Sequence, residues 1–79
     1  MSNKNIAKLW INQTKPFAKG SNFFFEGTKI YSYGYHFLIA EIVGDKVIFN
    51  TEKYSQSTSK HQSIVKMAIS GSGLTLEYK

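Results

Sequence analysis

Three consecutive pieces of this chain leave it little choice but a sheet: Phe37-Leu-Ile-Ala-Glu-Ile-Val43, then Gly44-Asp45, then Lys46-Val-Ile-Phe-Asn50. Two runs rich in β-branched and aromatic residues, joined by two residues that include glycine, form a β-hairpin. Both runs are apolar at neighbouring positions and not only at alternate ones. That pattern predicts central strands covered on both faces. A second hairpin precedes it. Phe23-Phe-Phe-Glu26 and Lys29-Ile-Tyr-Ser-Tyr33 flank Gly27-Thr28, a turn with glycine first. Gly34 then breaks or bends the second of these strands.

The flanking segments read less uniquely. Over residues 3–13, Ile6, Leu9, Trp10 and Gln13 follow helical spacing, and Ser2 or Asn3 can cap the start. The same stretch also alternates as a strand would, with Ala7, Leu9 and Ile11 on one side. A short helix is the favoured reading, with Trp10 a core anchor. Lys15-Pro16 ends it, because the residue before proline is pushed out of the α region. Residues 17–22 read as a loop around Gly20. Further on, Ser59-Lys60-His61-Gln62 matches a capping box, with Ser59 at the N-cap and Gln62 reaching back. His61, Ile64, Val65 and Ala68 recur on one helical face, and Gln62, Ser63 and Lys66 fall on the other. Ser70-Gly71 ends that helix with a left-handed glycine cap. Leu74, Leu76 and Tyr78 alternate with polar residues, as in an edge strand or a loose tail. The expected fold is α+β: one domain over residues 1–79, with a mainly antiparallel sheet of four to five strands. A C-terminal helix packs on one face, and a short N-terminal helix lies nearby.

Composition narrows the function classes. A chain of 79 residues buries only a small core, and with no cysteine it has neither a disulfide framework nor a thiolate zinc site. Six Phe, five Tyr and one Trp must supply the burial. A homodimer, or another partner, is a further source of support for so small a core. No apolar run has the length of a membrane span, and none follows the N-terminus as in a secretory leader, so a cytoplasmic location is expected. The net charge is +5, and all ten basic residues are Lys. Lys suits diffuse attraction to polyanions, whereas bidentate reading of guanine favours Arg. Abundant Lys, Asn, Ile, Phe and Tyr without Arg also fits AT-rich coding.

Two features can carry binding chemistry. The first is the stretch Lys53-Tyr54-Ser-Gln-Ser57-Thr58-Ser59-Lys60 entering the helix. A helix N-terminus offers free N–H groups and a positive dipole end to an anion. Capping alone requires only one of these hydroxyls. The second is Lys29, Tyr31, Tyr33 and Tyr35, which an unbroken strand places on one face. Tyrosines beside lysine make a stacking platform for single-stranded nucleic acid, or a protein-binding patch. The alternative is that the rings pack in the core. Tyr33 and Tyr35, beside Gly34, are expected to be more exposed than Tyr31. Lys29, Lys53, Lys60 and Lys66 add electrostatic attraction. His61 reads as a buried, hydrogen-bonded histidine. With His36 the only other histidine and no Gly-x-Ser-x-Gly elbow, no metal, cofactor or catalytic residue is assigned.

The block Glu26-Gly-Thr-Lys-Ile-Tyr31-Ser-Tyr-Gly-Tyr-His36, followed by Asn50-Thr-Glu-Lys-Tyr54-Ser-Gln-Ser-Thr-Ser-Lys60-His61, resembles a small domain family of unknown function encoded by bacteriophages and mobile elements. A YSYG-H segment and a YSxSTSKH segment carry the resemblance, which spans roughly residues 23–68. It implies a phage-like product in a bacterial host cytoplasm and transfers no activity. The expectation is a non-enzymatic protein that binds nucleic acid or a host nucleic-acid-processing protein. The alternative is an inhibitor of a host protein or defence system, as anti-CRISPR proteins are, acting through a Lys/Tyr interface.

Overall fold

A computed structural model describes residues 2–20, 22–32, 35, 37–50, 52 and 56–78, with the backbone alone at 56–58. The fold is α+β, as expected. Helix α1 spans Asn3–Asn12, and Ser2 caps it by accepting from the Asn5 N–H at 3.3 Å. Strands β1 (Phe17–Lys19), β2 (Phe23–Glu26), β3 (Lys29–Ser32), β4 (Phe37–Val43) and β5 (Lys46–Phe49) follow. Helix α2 (Gln56–Ser70) and strand β6 (Thr75–Tyr78) complete the chain.

The six strands form one sheet in sequence order, antiparallel throughout except for the parallel β5–β6 pair. The α2 crossover makes the parallel pair possible, since parallel neighbours need a long connection. Both hairpins form at the expected turns, with Gly27 at φ +59° and Gly44 at φ +64°. One strand exceeds the expected four to five, because Phe17–Lys19 pairs with β2 where a loop was expected. Three residues are too few for alternation to register as a pattern.

Both helices lie on one face of the sheet. Phe23, Phe25, Ile30, Val47 and Phe49 turn toward them, with Trp10, Ile6, Val65 and Ile69 as the facing layer. Trp10 is fully buried, and its indole N–H donates to the Thr28 carbonyl at 2.8 Å. Gln13, in the left-handed region at φ +54°, donates from Nε2 to the Gly27 carbonyl at 2.8 Å. The C-terminus of α1 is thereby fastened to the first hairpin turn.

The second face is different from the expectation. β4 pairs Ile30 with Ala40 but Tyr31 with Leu38, so Ile39 is the extra residue of a β-bulge. The bulge turns Phe37, Ile39, Ala40 and Ile42 all toward the helices. Leu38, Glu41 and Val43 face outward, where no described element covers them. The nearly continuous apolar run of β4 therefore reflects a bulge, and among the described residues the sheet is covered by helices on one side and not on both. The end of α2 also differs: Gly71 is not left-handed, and the positive φ falls at Gly73, +83°.

Candidate functional site

Alternation places Phe24, Glu26, Lys29 and Tyr31 on the uncovered face. The register of β1 adds Phe17 and Lys19, opposite Glu26 and Phe24. Phe24 and Tyr31 are cross-strand partners, and their rings stack with centroids 5.1 Å apart and planes 20° apart. Phe17 lies 6.3 Å from Phe24 on one side. Tyr35, beyond the end of β3, folds back over the pair, with its ring edge-on to Phe24 and Tyr31 at 5.1 Å each. Phe24 is thus only 5% exposed on a face that no helix covers, while Phe17 and Tyr35 remain 46% and 64% exposed. The rings bury one another and leave an outer aromatic rim. Leu38 and Ile48, half-buried, extend the apolar strip into a shallow hollow of about 280 Å³ beside Glu41.

The charges on this face alternate in sign. Lys29 pairs in register with Glu26 on one side and Glu41 on the other, and Lys46 meets Glu77 at 3.1 Å. The Tyr35 hydroxyl donates to Glu26 Oε2 at 2.9 Å. That bond holds the phenol above its ordinary pKa, because ionisation would lose the donated proton and set phenolate beside carboxylate. What the arrangement offers chemically is pre-ordered ring surface, hydrogen-bonded at one end, beside charges of both signs.

The expected binding residues that are described lie on two surfaces. Lys29, Tyr31 and Tyr35 stand on the open sheet face, with Tyr31 half-buried and Tyr35 exposed as expected. Ser59, Lys60 and Lys66 belong to α2, behind the sheet. Lys66 Nζ sits 5.5 Å from the Tyr78 ring and 5.9 Å from Phe49, a cation–π contact at the β5–β6 edge. Tyr33, Lys53 and Tyr54, with Gly34 and His36, lie outside the described residues, as do the side chains of Ser57 and Thr58. Pattern reasoning missed Phe17, Lys19 and Phe24. The Gly27-Thr28 turn was the signal for Phe24, since a two-residue hairpin loop fixes it opposite Tyr31.

The capping box does not form. α2 starts at Gln56, so Ser59 lies within its first turn, and its carbonyl accepts from Ser63 Oγ at 3.2 Å. Gln62 is buried, and its Nε2 donates to the carbonyls of Asn50 at 2.9 Å and Glu52 at 3.0 Å. It tethers the incoming connection to the helix and is no part of a solvated face. The sequence pattern matched a register that starts the helix too late.

His61 packs its ring 4.8 Å from Phe23, and its Nδ1 lies 2.7 Å from Ser32 Oγ. Burial lowers its pKa. Ser32 has no solvent exposure, so its hydroxyl is not presented to a substrate. Among the described residues, no group of three or more His, Cys, Asp or Glu side chains is placed to hold a metal ion. No described helix is long and apolar enough to cross a membrane.

No family model matches the chain, and neither the curated proteins nor the solved structures contain a match to it.

Proposed function

We propose that the chain is a non-enzymatic binding protein that stacks the bases of single-stranded nucleic acid on its open sheet face, in the phage-like, host-cytoplasmic setting its sequence suggests. The observation that carries this reading is the ring cluster Phe17–Phe24–Tyr31–Tyr35, ordered on a face without a helical cover. A base stacked on an aromatic ring contributes about 1–3 kcal/mol, whatever the base. Lys19 and Lys29 flank the rings and reach the backbone.

The division of the lysines sets the salt dependence. Lys60 and Lys66 are behind the sheet, and Lys46 is paired with Glu77. Two phosphate contacts, through Lys19 and Lys29, give a slope of log K against log salt of about −1.4 for a single strand. The test is fluorescence anisotropy of a labelled oligothymidine across a salt series. The reading expects binding at low salt, a shallow slope, and weakening by Phe17→Ala and Tyr35→Ala. No binding by the wild-type chain at low salt would eliminate it.

A protein target is the second reading, favoured by Glu26 and Glu41 on either side of Lys29. A polyanion is repelled by both carboxylates, whereas a protein surface can pair with all three charges. On this reading the chain inhibits a host protein or defence complex through the same rings.

A further inference from the structure

The helix layer presents a second surface, on the opposite side of the sheet from the aromatic rings. α1 and α2 leave between them a groove of about 340 Å³. Ala7 and Ile11 of α1 and Ile64 and Ala68 of α2 form its apolar floor. Met67 stands beside it, 64% exposed, an unbranched side chain able to adapt to what lies against it. Lys4 and Lys8, one helical turn apart and both exposed, line the α1 side.

The charge of this layer is one-sided. Neither α1 nor α2 carries an acidic residue, and α2 adds the exposed Lys60 and Lys66. Glu26, Glu41 and Glu77 are on strands, Asp45 is in a hairpin turn, and Glu52 is in the connection before α2. The sheet face mixes both signs, and the helix face does not.

We propose that this groove docks an acidic amphipathic protein segment. The segment would be a helix presenting apolar residues at i, i+3 or i+4 and i+7, with Asp or Glu beside them. The apolar floor takes the anchors, and Lys4 and Lys8 take the carboxylates. α1 has 10 residues, a length of about 15 Å, which suits two to three turns of a docked helix. Charge complementarity selects this occupant over the others. A second copy meeting groove to groove would set Lys4 and Lys8 against their own kind. Nucleic acid would satisfy the lysines but bring no apolar ridge to the floor. The inference stands apart from the sheet-face reading, because the two surfaces share no residue.

The probe is a labelled synthetic helical peptide of about 15 residues, with Leu at the anchor positions and Glu beside them. It is titrated into the full chain by fluorescence anisotropy. One control peptide carries Lys for Glu, and another keeps the composition but scatters the Leu around the helix. Saturable binding of the Glu peptide is expected, with both controls weaker by about tenfold or more. Met67→Glu, and the pair Lys4→Glu with Lys8→Glu, each weaken it by a similar factor, while Tyr35→Ala leaves it unchanged. Far-UV circular dichroism checks each variant. Should Met67→Glu not fold, the Lys4→Glu and Lys8→Glu pair at exposed positions carries the test, and this pair gains affinity for the Lys peptide. Any of several results overturns the proposal: equal binding of the scattered peptide, no binding of the Glu peptide, or no effect of the groove variants. Dimerisation abolished by Met67→Glu would assign the groove to a second copy instead. Groove-dependent sedimentation with phosphatidylglycerol vesicles, without peptide binding, would assign it to a lipid surface.

Discussion

Phe24→Ala and Tyr35→Ala separate a ring that holds the fold from a ring held out to a partner. Phe24 is 5% exposed, with Tyr31 and Tyr35 at 5.1 Å and Phe17 at 6.3 Å. Truncating a buried Phe to Ala costs about 3–5 kcal/mol, and a site that can relax toward solvent lies at the lower end, about 3 kcal/mol. For a domain of this size each kcal/mol lowers Tm by about 4–8 °C, so the variant should melt about 12–24 °C below wild type. Tyr35 is 64% exposed and makes two edge contacts and one exposed hydrogen bond. Its removal should cost about 1 kcal/mol, or about 4–8 °C. In binding the order reverses. Tyr35→Ala stays folded at 25 °C and should lose about 1–3 kcal/mol of affinity for a single-stranded oligonucleotide, roughly a factor of 5–150. Thermal melts followed by far-UV circular dichroism, paired with anisotropy titrations at 25 °C, give both numbers. Equal losses of Tm in the two variants would refute the reasoning, since Tyr35 would then be core. An unchanged affinity in Tyr35→Ala, with wild type binding, would place the oligonucleotide elsewhere.

Gln62→Ala should destabilise by about 1–3 kcal/mol in urea denaturation, because two carbonyls lose their donor; an unchanged urea midpoint would show that the two bonds do not hold the connection to the helix. His61 supplies a pH dependence whose sign follows from its lowered pKa: the unfolded state binds the proton more readily, so stability is full above the ordinary value of 6.5 and falls as pH drops below it. The urea midpoint should therefore decrease from pH 8 to pH 5, and His61→Gln should flatten that decrease; a midpoint rising on acidification would mean that the imidazolium is favoured in the fold.

What the sequence disclosed, it disclosed through local chemistry. Gly27 and Gly44 mark turns whose positive φ only glycine adopts freely, and both hairpins form there. Ser2 caps α1, and Trp10 is core, because a tryptophan on an amphipathic stripe has few better places to go. Where many residues offered the same interaction, the sequence was silent. The hydroxyls of Thr51, Ser55, Ser57, Thr58 and Ser59 allow several cap registers, and the sequence does not say that Gln62 turns inward to the carbonyls of Asn50 and Glu52. The bulge at Ile39 was hidden because an apolar residue fits either side of a bulge, so Phe37–Val43 reads the same with or without one. The aromatic stripe was half legible. Period two put Lys29 and Tyr31 on one face, but Phe17 and Phe24 join them only through strand pairing, and the Lys60 and Lys66 charges prove to belong to another surface.

The chain's single tryptophan gives this architecture an optical address. Trp10 is on the buried side of α1 with no solvent exposure, its indole proton bonded to the Thr28 carbonyl. Its emission therefore reports whether α1 is seated on the hairpin turn, and a red shift marks the moment that helix lifts away. Tyr31 and Tyr35 sit behind the strands, on the far side. Their signals answer to what lands on the open face. Only the tryptophan signal belongs to one side, because Tyr78 stands on the helix side against Lys66 of α2 and shares the tyrosine wavelength.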